Sequence, residues 1–172
     1  MCGPNAELLL LLPLLLLRRY LRVMREKLVL FICVENACRS LIAEASFNAS
    51  PPPGWHAISA GTRPAPAPNR RTGPMLQEIG LAPPVHPPQV LRTEDFDRAS
   101  VRVTMGCLDD ASCPTHLRSL ELRDWNLEDP ATLDDEGFRR VRGRILDLVR
   151  DLRTELVRSD GRRADIPDRD RR

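Results

Sequence analysis

From Leu28 to Ile32 the chain reads Leu-Val-Leu-Phe-Ile without a polar break, and the run stops at Cys33. Five apolar residues in a row predict a short strand buried on both faces. Leu41, Ile42, Ala43, Ala45 and Phe47 then predict a short helix that ends before Pro51-Pro52-Pro53. His56–Ala60 reads as a second strand closing at Gly61, followed by a proline-rich loop from Pro64 to Pro68. Met75, Leu76 and Ile79 mark a helix closed by Gly80, and Pro83–Pro88 is an extended connection. Val101–Met105 is a third strand ending at Gly106, and Leu120–Leu122 is the candidate fourth. Phe138, Val141, Ile145, Leu148, Leu152 and Leu156 recur at helical spacing and predict one long amphipathic helix. Strands alternating with helices imply an α/β three-layer sandwich, a four-stranded parallel sheet with helices on both sides.

This pattern fails at both ends. Leu8–Leu17 is a leucine run broken by Pro13 and followed by Arg18, Arg19, Arg22 and Arg25. It is about half the ~20 residues needed to cross a bilayer, so no membrane span is expected. A secretory signal carries its positive charge before the apolar run, whereas here Glu7 precedes it and arginines follow. An anchor lying in the membrane interface is the competing reading. Met24 opens directly onto the first strand, so translation is expected to start there. Residues 1–23 are read as a doubtful or disordered extension, 24–158 as the domain and 159–172 as a disordered charged tail.

Composition narrows the partners. The 172 residues carry 26 Lys+Arg against 24 Asp+Glu, a net charge of +2 spread evenly along the chain. Nucleic-acid binding needs a concentrated basic surface, so no nucleic-acid partner is expected.

The chemistry begins where the first strand ends. Cys33-Val34-Glu35-Asn36-Ala37-Cys38-Arg39-Ser40 joins that strand to the first helix. A loop in this place turns backbone N–H groups inward and aims a helix N-terminus at whatever it encloses, which makes a cradle for an oxyanion. Arg39 adds a planar fork for two oxygens of the same anion. The same donors favour the thiolate form of Cys33, so a nucleophile and its anion pocket come from one loop. Cys-x5-Arg alone is a weak signal, and a buried inert cysteine at a strand end is its bland alternative. The strand before the Cys and the helix opened by Arg39-Ser40 supply the context that the chemistry requires.

With these residues in view, the chain resembles the low-molecular-weight protein tyrosine phosphatases and, within that fold, the arsenate reductases. The resemblance continues in order beyond the loop: Ile58-Ser59-Ala60-Gly61-Thr62, Asn69, Glu78-Ile79-Gly80, Val103-Thr104-Met105-Gly106-Cys107 with Cys113-Pro114, and Asp124-Trp125-Asn126-Leu127-Glu128-Asp129-Pro130-Ala131. It covers about Leu28 to Leu156. The chain departs from the family at Leu41-Ile42, where a polar residue and Met are usual, and at Asn69-Arg70, where Asn-Pro is common. Phosphatases of the family usually follow Asp-Pro with an aromatic residue; here it is Ala131, so a phenyl substrate finds little to stack on.

Five cysteines, Cys2, Cys33, Cys38, Cys107 and Cys113, do not make a disulfide framework. Reducing arsenate takes two electrons, which one dithiol supplies on becoming a disulfide. The resemblance implies that Cys33 attacks arsenate held by the loop and Arg39, that Asp129 is the general acid, and that Cys107 and then Cys113 carry the oxidation outward. It implies an external thiol reductant, thioredoxin or glutathione with glutaredoxin, a cytoplasmic setting, and no tightly bound cofactor. Asn36, Glu44 and Ser59 match positions that surround a monovalent cation in some arsenate reductases. Ser40 is expected to donate to the Cys33 sulfur, while Cys38 is read as packing and His56, His86 and His116 show no partner pattern. Two rivals stay open: a phosphatase of the same fold, and a non-catalytic zinc or redox-sensing protein using Cys33, Cys38, Cys107, Cys113 or His116.

Overall fold

The computed structural model describes residues 26–106 and 122–164. The leucine-rich stretch 1–23, Cys107, Cys113, His116 and residues 165–172 lie outside the described residues.

Four strands pair in parallel in the order β2-β1-β3-β4, with β1 Lys27–Cys33, β2 Trp55–Gly61, β3 Val101–Thr104 and β4 Arg123–Asp124. The helices are α1 Arg39–Ala49, α2 Thr72–Gln77, α3 Thr93–Arg98 and α4 Asp135–Ala164. The unbroken apolar run of β1 is explained by its two faces. Val29, Phe31 and Cys33 face the larger core with α1, α2 and α4, while Leu28, Leu30 and Ile32 face a smaller one with Phe96 of α3. The sheet is therefore covered on both sides, as the pattern of apolar residues implied. Because β2 and β3 flank β1, the chain turns opposite ways from the carboxyl end of β1, where open α/β sheets bind their ligands.

Three details differ from the sequence expectation. The fourth strand is described at Arg123–Asp124; of the expected Leu120–Leu122, the first two positions lie outside the described residues and Leu122 packs on the smaller core just before the strand. An edge strand is held by hydrogen bonds, so polar residues serve, and Asp124 accepts from the Thr104 hydroxyl at 2.9 Å. Helix α3 has one buried side chain, Phe96, too few to show a period. Finally, α4 does not stop before Ser159. One turn past Leu156, Asp160 accepts a 2.8 Å hydrogen bond from Trp55 Nε1 and ion-pairs with Lys27, which extends the helix to Ala164. Both partners sit more than 100 positions away, at the starts of β2 and β1, so no local pattern announces them.

Replacing Asp160 leaves the indole N–H of buried Trp55 without this acceptor. Asp160→Ala is expected to lower unfolding free energy by about 1–2 kcal/mol, read from urea denaturation.

Candidate active site

The Val34–Ser40 loop leaves the end of β1 with its carbonyls turned away from the cavity. Those of Cys33, Val34, Glu35 and Ala37 accept from the N–H groups of Thr62, Arg63, Ala65 and Asn69, at 2.8–3.1 Å. A peptide plane sets its N–H opposite its C=O, so the loop's amides face the cavity instead. Asn36 adopts φ +49° to make this turn. Helix α1 begins at once, with Cys38 in the capping position and no side chain closing its first N–H groups. These unclaimed donors are what an oxyanion binds.

The approach of β2 to the loop depends on Gly61. A Cβ there would lie 2.5 Å from the Val34 carbonyl oxygen and 2.9 Å from the Asn36 nitrogen, both backbone atoms with no freedom to yield. Gly106, at the end of β3 with φ +72°, is equally confined, since a Cβ would meet the Asn126 Cα at 2.5 Å.

At the floor, Cys33 Sγ receives the Asn36 N–H at 3.1 Å and lies 3.0 Å from Ser40 Oγ. The direction of the second contact follows from its neighbours. Gln89 N–H donates to Asn36 Oδ1, which orients the amide, and Asn36 Nδ2 donates to both Ser40 Oγ and Ser59 Oγ at 2.8 Å. Ser40 thus accepts from Asn36 and has its own proton left for the sulfur. Ser59 likewise gives its proton to the Glu44 carboxylate at 2.5 Å. Two donors thus converge on one sulfur. Cys38 is different: burial foremost pushes its thiol up to about 11, so it stays protonated.

His86, which no sequence pattern linked to anything, completes this chain. Its Nε2 lies 3.0 and 3.1 Å from the two oxygens of Glu44, and its Nδ1 lies 2.9 Å from the Pro87 carbonyl. Both ring nitrogens face acceptors only, so both carry protons and the ring is an imidazolium. Burial lowers its pKa, but the bonds to the Pro87 carbonyl and Glu44, with the Glu44 charge, outweigh this and raise it. Asn36, Glu44 and Ser59 do come together, and His86 lies against Glu44.

Above the floor, the buried Arg39 guanidinium donates to the carbonyls of Leu127 at 2.9 Å and Met105 at 3.4 Å and meets Asp129 Oδ2 at 3.3 Å. Asp129 also accepts from the Ala131 N–H at 3.1 Å, capping a single 3₁₀ turn over Pro130–Thr132. The turn and the candidate acid are the same residue. A cavity of about 420 Å³ joins Cys33, Cys38, Arg39, Asn69, Gly106, Asp129 and Ala131, and among the described residues no aromatic side chain lines it. The loop from Cys33 to Ser40, Arg39 and Asp129 are therefore brought to one place. Cys107 and Cys113 lie outside the described residues, but Gly106, bonded directly to Cys107, lines the cavity. Among the described residues no three His, Cys, Asp or Glu side chains converge as metal ligands.

Two outcomes are expected. Gly61→Ala forces the loop off its present path, so it is expected to weaken inorganic phosphate binding at least about tenfold and to cost about 1–3 kcal/mol of stability; calorimetric titration and thermal melts check both. For His86 the folded pKa lies above the unfolded value of about 6.5. The stability it adds is fully present below about pH 6.5 and lost as pH rises through the folded pKa. The stability gap between wild type and His86→Asn should accordingly shrink as pH rises, measured by denaturant unfolding across pH 5–9.

Comparison with known proteins agrees with this geometry. An arsenate reductase of Staphylococcus epidermidis is 29% identical over 122 residues, spanning 71% of this chain and 92% of that protein. An arsenate reductase solved in a phosphate-binding state superposes with a TM-score of 0.66 at 26% identity, over 75% of this chain and 98% of the other. A thioredoxin-dependent arsenate reductase from Corynebacterium glutamicum gives 0.59 at 28% identity, over 80% and 71%. Among the described residues no helix is long and apolar enough to cross a membrane. The sequence profile described as low molecular weight phosphotyrosine protein phosphatase matches residues 28–162, which take in the sheet from the second residue of β1, the loop after β1 and the Pro130–Thr132 turn, and this chain belongs to that family.

Proposed function

We propose that this chain reduces arsenate to arsenite through a relay of thiols. Arsenate sits among the loop amides and the Arg39 guanidinium. The Cys33 thiolate attacks arsenic, an As–S bond forms, and Asp129 protonates the departing oxygen as water. Cys107 then attacks the Cys33 sulfur: the S–S bond forms, the As–S bond breaks, and its electron pair stays on arsenic, which leaves as arsenite. Cys113 attacks Cys107 next, freeing Cys33 and leaving a Cys107–Cys113 disulfide for an external dithiol to reduce.

The observation that supports this reading is that Gly106 lines the same cavity as Cys33. The backbone continues from Gly106 into Cys107, and consecutive Cα atoms are about 3.8 Å apart. The aromatic-free lining suits a small tetrahedral oxyanion better than a phenyl ring. The relatives named arsenate reductase support the substrate, and the thioredoxin-dependent one supports a thioredoxin-type donor. Such a relay works where thiols are kept reduced, which fits the cytoplasm.

The purified full chain, given arsenate, thioredoxin, thioredoxin reductase and NADPH, is expected to consume NADPH. Cys33→Ser, Cys107→Ser and Cys113→Ser should each abolish that consumption, while Cys107→Ser and Cys113→Ser retain slow aryl phosphate hydrolysis. Aryl phosphate hydrolysis without any arsenate turnover would make the chain a phosphatase instead.

A further inference from the structure

The acid turn is held chiefly by a residue outside the reacting set. Its backbone–backbone bonds are long, Thr132 N–H to the Asp129 carbonyl at 3.4 Å and Leu133 N–H to the Pro130 carbonyl at 3.3 Å, and two side-chain bonds supplement them, Thr132 Oγ1 to the Asp129 carbonyl at 3.0 Å and Ala131 N–H to Asp129 Oδ1 at 3.1 Å. Across it lies Arg71, whose guanidinium reaches both ends of the turn. One terminal nitrogen donates to the Leu133 carbonyl at 2.7 Å and to Asp135 Oδ1 at 3.3 Å; the other donates to the carbonyls of Pro130 and Ala131, both at 3.0 Å. The Phe138 ring supports the fork, with its centroid 5.0 Å from the guanidinium carbon.

The backbone on either side of Arg71 is fastened to the oxyanion cradle. Asn69 N–H and Thr72 Oγ1 both donate to the Ala37 carbonyl at 2.9 Å, and the Arg71 N–H donates to Asn69 Oδ1 at 3.0 Å. The short stretch from Asn69 to Thr72 thus grips the nucleophile loop with its backbone and threonine hydroxyl, and the acid turn with its guanidinium. Among the described residues Asp129, nearly half exposed, has only Arg39 and its own turn to hold its carboxylate.

We propose that Arg71 is a positioning residue for the general acid, setting how far Asp129 stands from the cradle; this rests on Asp129 acting as the acid in the reaction above. A lysine cannot do the same, because a single ammonium does not span carbonyls at both ends of the turn in one plane.

Leaving-group dependence separates this role from a purely structural one. Dinitrophenolate departs without a proton, whereas phenolate needs one. kcat/KM for phenyl phosphate is expected to fall about 10- to 100-fold in Arg71→Ala, and kcat/KM for 2,4-dinitrophenyl phosphate less than about threefold, with competitive inhibition by inorganic phosphate unchanged within about threefold. In an Asp129→Asn background, Arg71→Ala should cost less than about twofold more on phenyl phosphate. Arg71→Lys, which keeps the charge and loses the fork, is expected to show the same leaving-group-dependent loss and carries the test if Arg71→Ala does not fold. An equal loss on both esters, or additive losses in the double variant, overturns the role of Arg71. If Asp129→Asn itself spares phenyl phosphate, the acid assignment falls and the role of Arg71 falls with it.

Discussion

The site rests on a backbone-to-backbone contact: the loop after β1 lies against the end of β2 with no side chain between them. Four of the loop's carbonyls are consumed by amides that follow β2, and Gly61 supplies the missing Cβ that lets the two backbones meet. A buried carbonyl without a partner is costly, so each of these bonds fixes which way a peptide plane faces. The inward amides are the other side of that constraint. Anion binding here comes from main-chain geometry, and the side chains tune it.

The tuning is carried by a directed chain of hydrogen bonds from His86 to the sulfur. The ring can only donate and the Glu44 carboxylate can only accept, so the hydroxyl of Ser59 must point at Glu44. The Asn36 amide, oriented by Gln89, must then give both its hydrogens, and the Ser40 proton is left for Cys33. From His86 as far as Ser40 every link has one allowed direction. Reversing any of them would leave two donors or two acceptors face to face in a buried place.

On the opposite wall the arrangement is looser. Asp129 is partly solvated and touches Arg39, which keeps the candidate acid beside the guanidinium of the loop. Arg71 ties the turn bearing Asp129 to the stretch that holds the cradle. The described residues lining the cavity offer charge and hydrogen-bond donors for recognition there.

The reacting loop was legible because its chemistry is contiguous: Cys33 to Ser40 lies between an apolar strand and an apolar helix, and each part gives the other its meaning. The parallel sheet was legible for a similar reason, since an unbroken run such as Leu28–Ile32 needs cover on both faces. His86, Arg71 and Asp160 were not legible, although each is plainly visible in the chain. Their partners, Glu44, the carbonyls of 130–133, and Trp55 with Lys27, lie 42 to 133 positions away. Sequence alone determined which groups are candidates for the chemistry and which faces are buried, because both are encoded within a few residues. Only the tertiary structure decided which hydrogen bond points which way and how the acid turn is anchored, because those depend on backbone carbonyls and distant side chains that no local pattern registers.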